Sequence, residues 1–329
     1  MKESVTMKKN KNLLVLINIG SPTTLSVPAV RRYLQSFLMD PHVIQIPYFL
    51  RFILFYLVIC NIRAPKTFKK YQSIWTMQGS PFHVFTENFR RALENSIGVR
   101  VLNLMMYSEP GFESGFAEIK AGNYSKITVC PMYPQYAESS TFASIEKFKS
   151  FFAAAKLTAE VEYVRPFYSE EFFIESFYQN IITALPAYQS FDHFVFSYHG
   201  LPQSHVARSS AADNYQQQCL NTTEKLAAKL QLDPKNYVTC FQSRVGLTKW
   251  IGPYLDQTCE ALAQNGKKNL LLISPSFVVD GLETLQEIGD LEKSLQARFA
   301  VKLVLVPGLN SESHWVRNFS EFIRLFFAE

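Results

Sequence analysis

A histidine and a glutamate are the residues of this sequence whose type and position best fit acid–base chemistry. His199 follows the apolar run HFVFSY and stands directly before Gly200, where a strand would meet its turn. A histidine there is a candidate base or metal ligand, because neutral imidazole titrates near physiological pH. A capped histidine in the core is the competing interpretation, and position alone leaves both open.

Glu283 lies in the segment SPSFVVDGLETLQEI, which runs from a strand through a short loop into a helix. Asp280 precedes it by three residues, which is the spacing of a capping box, so a structural role for this pair competes with a chemical one. A histidine with nearby carboxylates is also what proton removal coupled to transfer of a divalent metal requires. The pattern fits both roles.

Eight apolar, β-branched runs, separated by helix-like stretches, must position these side chains. The runs are Leu13–Ile19, Val99–Met106, Ile127–Met132, Val161–Val164, Phe194–Tyr198, Tyr237–Gln242, Asn269–Pro275 and Val301–Val306. Continuous apolar strands that alternate with helices indicate parallel sheets covered on both faces. We therefore predict an α/β protein with two Rossmann-like, doubly wound domains, whose parallel four-stranded sheets face a central cleft.

The length of 329 residues exceeds the size at which a single core usually keeps growing, which favours two domains. The boundary is predicted near Pro186–Ser190, after a helix and before the second set of strands. The predicted units are an N-terminal domain at 1–187, a C-terminal domain at 188–310 and a C-terminal helix at 311–329.

A short internal sequence repeat supports an organisation in two related halves. The first predicted strand ends in NIGSP at Ile19, and the fifth ends in YHGLP at His199. The two residues would then hold equivalent positions at the carboxyl ends of two sheets, where open α/β folds bind ligands. They could approach one ligand from opposite sides.

The most apolar stretch of the chain is residues 44–62, which we call the lip segment. Its uninterrupted apolar part, Phe52–Cys60, is too short to span a bilayer. A buried helix and an exposed amphiphilic lip that rests on a membrane both fit this composition. Flanking basic residues such as Arg51 and Lys66 favour the exposed lip.

The overall charge and the cysteines exclude some classes of protein. The net charge of +5 suits an anionic small molecule or membrane surface at least as well as nucleic acid. No arginine-rich stripe or zinc-finger spacing supports a nucleic-acid partner, so none is expected. The five cysteines are odd in number and contain no CxxC pair, which suits a reducing compartment. A cytoplasmic location is expected.

Several long motifs, in order, resemble one family. They are SYHGLP around His199, TCFQSRVGLTKWIGPY around Trp250, SPSFVVDGLETLQEI around Glu283, APKTFKKYQSIWTMQGSP and YPQYAESST. Together they make the chain resemble ferrochelatases over nearly its whole length. The resemblance implies a lyase that inserts Fe²⁺ into protoporphyrin IX, releases two protons and forms protohaem in the last step of haem biosynthesis. Iron is then a substrate, and no prosthetic group is expected.

The resemblance also implies roles for individual residues. His199 and Glu283 match the family's catalytic and metal-binding pair, and Asp280 matches an acidic residue in the same network. Positions that line the macrocycle are matched by Ile19, Tyr107, Trp250 and Phe277. Ser80 and Arg63 match positions near the porphyrin propionates and the lip. The lip segment matches a membrane-facing element, which implies peripheral contact with lipids on the inner face of the cytoplasmic membrane.

Some positions depart from the family pattern. Met106 stands where many relatives have arginine, and Ser108 stands where they often have glycine, which argues against a charge-based role for this strand end. The C-terminal sequence RLFFAE has no cysteine cluster, so an iron–sulfur centre is not expected. The alternatives are a related chelatase that inserts cobalt or nickel into another tetrapyrrole, and a porphyrin-binding or metal-binding protein without catalysis.

Overall fold

The computed structural model describes residues 11–185, 187–207, 210, 214–244 and 248–327. It contains two four-stranded sheets in which every neighbouring pair of strands is parallel. The strands are β1 (Asn12–Asn18), β2 (Arg100–Met105), β3 (Lys126–Pro131), β4 (Glu160–Tyr163), β5 (His193–His199), β6 (Tyr237–Gln242), β7 (Asn269–Ile273) and β8 (Lys302–Leu305). The orders β2-β1-β3-β4 and β6-β5-β7-β8 have the same topology, so the two halves are built alike.

Helices cover both sheets. They are α1 (Val27–Leu38), α2 (Tyr48–Ile74), α3 (Pro81–Ile97), α4 (Phe112–Gly122), α5 (138–154), α6 (Glu171–Ala184), α7 (Gln203–Val206), α8 (Tyr215–Lys229), α9 (Leu255–Gln264), α10 (283–299) and α11 (Ser313–Arg324). Three of them contain a widened π segment: Phe52–Ile59 in α2, Glu138–Phe142 in α5 and Glu283–Glu287 in α10. Such segments occur frequently at functional sites.

The predicted fold is confirmed, and all eight predicted strands end within two residues of the observed ones. The reason is visible in β1, where Leu13–Ile17 are fully buried because helices lie on both faces of the sheet. The predicted boundary near Pro186–Ser190 lies between α6 and β5. Pro186 itself, residues 1–10 and residues 328–329 of the predicted units lie outside the described residues.

A shared apolar core joins the two halves. Leu16 of β1 and Phe196 of β5 belong to the same buried cluster. The C-terminal helix α11 enters this cluster with Trp315 and Phe319, whose rings each lie 5.5 Å from the ring of Phe89 on α3. Because α11 returns to the first half, it fixes that half against the second.

The lip segment is exposed, so the alternative of a buried helix is wrong. Leu50, Leu54 and Leu57 are 51%, 47% and 48% exposed. The helix α2 has 27 residues and is long and apolar enough to cross a membrane by length and composition. Its second half instead packs on the protein, because Cys60 and Tyr71 are buried in a cluster with residues of α1.

Candidate active site

His199 is held at the carboxyl end of β5 by its main chain. Its amide donates a 3.1 Å hydrogen bond to Ser276 Oγ, and its carbonyl accepts a 2.8 Å bond from the hydroxyl of Tyr215. The rings of Trp250 and Phe277 lie 6.5 and 6.2 Å from the imidazole. Burial lowers the pKa of His199, so the ring is neutral near pH 7 and can accept a proton.

Glu283 begins the π segment of α10 and is partly buried. Burial raises its pKa to about 7, and the nearby charge of Glu287 adds to this effect while Lys70 opposes it. Near neutral pH the carboxyl is therefore present in both protonation states. A group with this property can take up and release a proton at the operating pH.

Glu287 is a neighbour of both candidate residues. Its negative charge raises the pKa of Glu283 and opposes the lowering of the His199 pKa, so it lies within electrostatic reach of each. The carboxylate of Glu287 forms a 3.0 Å ion pair with Lys70 Nζ of α2. Sequence analysis missed Glu287, although it stands in the same motif as Glu283.

Gln242, the last residue of β6, connects the two turns that carry His199 and Glu283. Its carbonyl accepts a 2.8 Å bond from the amide of Gly200, and its side-chain amide donates a 3.4 Å bond to the carbonyl of Glu283. Ser197 Oγ donates a 2.6 Å bond to Gln242 Oε1 and fixes that side chain. A β-carbon at Gly200 would lie 2.8 Å from the same Gln242 carbonyl, which explains the glycine.

Asp280 holds a loop and does not cap the helix. Its Oδ2 accepts hydrogen bonds from the amide of Gly308 at 2.9 Å and from Asn310 Nδ2 at 2.8 Å. At the start of α10 the amide of Gly281 bonds instead to Thr284 Oγ1 at 3.0 Å. The capping-box interpretation is therefore wrong, because the carboxylate is already engaged by the loop that follows β8.

Two tyrosines from the first half, Tyr33 and Tyr71, lie within electrostatic reach of Glu283. Burial is the main cause that raises the pKa values of Tyr33 and Tyr71, and the charge of Glu283 adds to it in both. Tyr107 donates a 2.9 Å hydrogen bond to Asp40 Oδ2. Sequence analysis missed Tyr33 and Tyr71, although Tyr71 lies in the quoted motif APKTFKKYQSIWTMQGSP.

The other predicted substrate contacts lie at the carboxyl edge of the first sheet and on the helices beside it. The carbonyl of Ile19 accepts a 3.2 Å bond from the amide of Tyr107, so these two residues are adjacent. Ser80, at the start of α3, is buried and shares a 2.6 Å hydrogen bond with the hydroxyl of Ser21. Arg63 lies half-exposed on α2, one turn beyond Cys60.

The two departures from the family pattern have local explanations. The side chain of Met106 is buried in the apolar core, and its carbonyl accepts a 2.6 Å bond from Lys147 Nζ. Ser108 Oγ accepts a 3.2 Å bond from the amide of Ser21. It occupies space that a β-carbon on Gly20 would need, since the two would lie 2.3 Å apart.

Comparison with known proteins identifies the family. The profile of the ferrochelatase family matches residues 11–325. The chain belongs to the ferrochelatase family. A ferrochelatase of Bdellovibrio bacteriovorus is 35% identical, over 95% of this chain and 99% of its own length. A ferrochelatase of Coxiella burnetii is 37% identical, over 93% of this chain and 91% of its own length.

Solved structures confirm the chelatase-type fold. SirB from Bacillus subtilis, solved with Fe³⁺, superimposes with a TM-score of 0.56 at 13% identity, over 95% of this chain and 94% of SirB. The sirohydrochlorin chelatase SirB from Bacillus subtilis subspecies spizizenii, in complex with cobalt, gives 0.57 at 12% identity, over 95% of this chain and 94% of its own. At this identity the likeness concerns the fold alone.

Within this ferrochelatase fold, the structure brings part of the predicted site together. His199, Trp250 and Phe277 form one contact group, and Ile19 and Tyr107 form another on the facing half. Among the described residues, no group of three histidine, cysteine, aspartate or glutamate side chains is close enough to hold a metal ion. His199 and Glu283 remain the predicted pair for iron, and Asp280 remains a predicted catalytic residue whose observed contacts are structural.

Proposed function

We propose that this chain is a ferrochelatase in activity as well as in family: it inserts Fe²⁺ into protoporphyrin IX, releases two protons and forms protohaem, the last step of haem biosynthesis. The observation that carries the proposal is the link through Gln242, which joins the turn after His199 to the start of α10 at Glu283. Burial lowers the pKa of the imidazole and raises the pKa of the carboxyl to about 7. Metal insertion displaces two pyrrole protons, and these two groups are the acceptors. As a reaction that forms nitrogen–metal bonds, it belongs to the lyases.

The macrocycle is proposed to lie between the two facing walls. Trp250 and Phe277 contact it on the side of His199, and Ile19 and Tyr107 contact it from the other half. Bending the ring between these apolar walls exposes its nitrogen lone pairs and N–H bonds to His199 and Glu283, with binding energy from the rest of the ring offsetting the strain. Ser80 and Arg63 are assigned to the propionates.

Iron passes through a site that binds it weakly. An imidazole with one carboxylate supplies fewer ligands than a closed structural metal site, so the ion can be released to the porphyrin. His199 holds the ion or accepts a proton while neutral. Glu283 accepts a proton in its ionised form. The proposed reaction requires no prosthetic group, and iron is its substrate.

We propose further that the lip segment rests on the inner face of the cytoplasmic membrane. Apolar side chains along 48–62 are exposed, and Arg63 and Lys66 follow them on the same helix, whereas Arg51 is buried and donates to the carbonyl of Ile44. Lys and Arg near such a face favour anionic headgroups. Protoporphyrin IX has a large apolar ring, so a lip in the lipid would give the substrate a route into the cleft.

A turnover assay tests the proposed activity. The protein is incubated without oxygen with protoporphyrin IX and Fe²⁺, or with Zn²⁺ as a substitute, and the visible bands of the metalloporphyrin are followed. Wild-type protein should give many turnovers, and a Glu283→Gln variant should give almost none. Turnover only of cobalt or nickel with another tetrapyrrole would favour the related chelatase. Porphyrin binding without any turnover would favour a binding protein.

A further inference from the structure

Lys70 connects the helix that carries the lip segment to the segment that carries Glu283. Its Nζ lies 3.0 Å from Glu287 Oε1, across the boundary between the two halves. Both side chains are only partly exposed, at 42% for Lys70 and 34% for Glu287. The second oxygen of Glu287 accepts a 3.4 Å bond from Ser243 Oγ, so the carboxylate is held from two sides.

The same helix contacts the π segment at a second point. Leu282, which directly precedes Glu283, packs against the apolar cluster formed by α1 and α2. Tyr71, the residue after Lys70, is buried and lies within electrostatic reach of Glu283. Residues on both sides of Glu283 are therefore held: Leu282 by packing on the cluster of α1 and α2, and Glu287 by the ion pair with Lys70.

The first part of α2 is the lip segment, and the helix continues without a break to Ile74. Lys70 therefore stands on the same helix as the lip segment, with Pro65 between them. The negative charge of Glu287 in turn lies within electrostatic reach of both His199 and Glu283. The ion pair between Lys70 and Glu287 therefore connects the helix of the lip segment to the neighbourhood of the two proposed reacting groups.

We propose that Lys70 is a positioning residue: by binding Glu287 it fixes the π segment, and thus Glu283, against the helix that carries the lip. The inference rests on the proposed ferrochelatase activity and adds a residue that does not touch the substrate. Positioning errors at the ångström scale are costly in rate, so loss of the pair should lower kcat. The predicted macrocycle contacts are unchanged, so the KM for porphyrin should change little.

The test compares Lys70→Met, Lys70→Arg and the matched control Lys69→Met, an exposed lysine on the same helix. With protoporphyrin IX and Zn²⁺ or anaerobic Fe²⁺, Lys70→Met should lower kcat about tenfold and leave the porphyrin KM within about twofold. Lys70→Arg should retain most of the rate, because a guanidinium also pairs with a carboxylate. Lys69→Met should behave as wild type.

The dependence of the rate on salt concentration is a second readout, and a lysine that only stabilises the fold would not change it. A partly exposed ion pair is screened at high ionic strength, so the rate ratio of wild type to Lys70→Met should fall toward one in about 1 M salt. Equal kcat for Lys70→Met and Lys69→Met at low salt would overturn the inference. So would a melting temperature that drops much further in Lys70→Met than in Lys69→Met. An inactive wild type would instead refute the proposed function.

Discussion

Gln242 and Glu283 are joined by a hydrogen bond of 3.4 Å, from the side-chain amide of the first to the carbonyl of the second. The carbonyl of Gln242 also accepts a hydrogen bond from the amide of Gly200, which follows His199. The turn after β5 and the start of α10 are thereby fixed relative to each other. Gln242 thus connects segments that are 84 positions apart in the sequence, at 199 and 283.

Replacing His199 by alanine should nearly abolish metal insertion. A positioned base typically contributes a factor of about a hundred to ten thousand in rate. Folding should be preserved, because the contacts of His199 with Ser276 and Tyr215 use only its main chain. Porphyrin binding, measured by fluorescence quenching, should also persist. Activity within a few-fold of wild type would exclude the assignment of this residue.

Replacing Glu283 by glutamine should remove activity without unfolding the protein. Glutamine keeps the shape of the side chain but cannot accept the proton. Glu292→Gln, an exposed position on the same helix, is the matched control and should retain the wild-type rate. A rate for Glu283→Gln equal to that of the control would show that the carboxylate takes no part in the chemistry.

The stability of the metal-free protein should depend on pH through Glu283. Its pKa is raised from the ordinary 4.5 to about 7 by burial, so between these values the folded state binds more protons than the unfolded state. Stability from this group therefore falls as the pH rises through that window, by on the order of 3 kcal/mol in total. Thermal melts at pH 5 and pH 8 should show Glu283→Gln gaining on wild type at the higher pH. A constant difference would contradict the raised pKa.

Both sheets could be predicted from the sequence, and so could the places of the candidate residues His199 and Glu283 in the chain order of strands and helices. The strands are buried on both faces, so each appears as a continuous apolar run. His199 stands at the end of such a run, and Glu283 stands in the loop and helix start that follow another. Parallel topology places these ends on one edge, which is why position along the chain was informative.

The remaining site residues depend on contacts between distant parts of the chain. Tyr33 and Tyr71 face Glu283 only because α1 and α2 pack beside the start of α10. The capping interpretation of Asp280 was wrong for the same reason, since its partners Gly308 and Asn310 follow β8. Local spacing contains no information about these long-range contacts.

Asp280→Ala should act mainly on stability. The buried carboxylate accepts from Gly308 and Asn310, and its removal leaves their donors without a partner, at a cost of about 1–3 kcal/mol for each buried group. Asn310→Ala removes its bond to Asp280 Oδ2 and also the bond that its Oδ1 accepts from the Asp280 amide, so it should destabilise in the same direction. Chemical denaturation measures both. A loss of kcat in Asp280→Ala with unchanged stability would instead support the catalytic role implied by the family resemblance.

Serine at Leu50, Leu54 and Leu57 should weaken membrane association and leave the fold intact. These side chains are about half exposed, and substitutions at such surface positions usually change stability by less than about 0.5 kcal/mol each. On a membrane the same side chains enter the interface, so their loss should reduce flotation with anionic liposomes. Melting temperature and liposome flotation are measured on the same preparation.

Leu34→Ser on α1 is the matched control, because Leu34 is a buried leucine of the cluster beneath the lip segment. It combines lost burial with a cavity and should cost several kcal/mol, whereas its effect on flotation of the folded protein should be small. The triple variant should therefore lower liposome flotation with little change in melting temperature, and the control should lower the melting temperature with little change in flotation. If the triple variant melts far lower and floats as well as wild type, the apolar side chains stabilise the fold and the lip segment does not bind lipid.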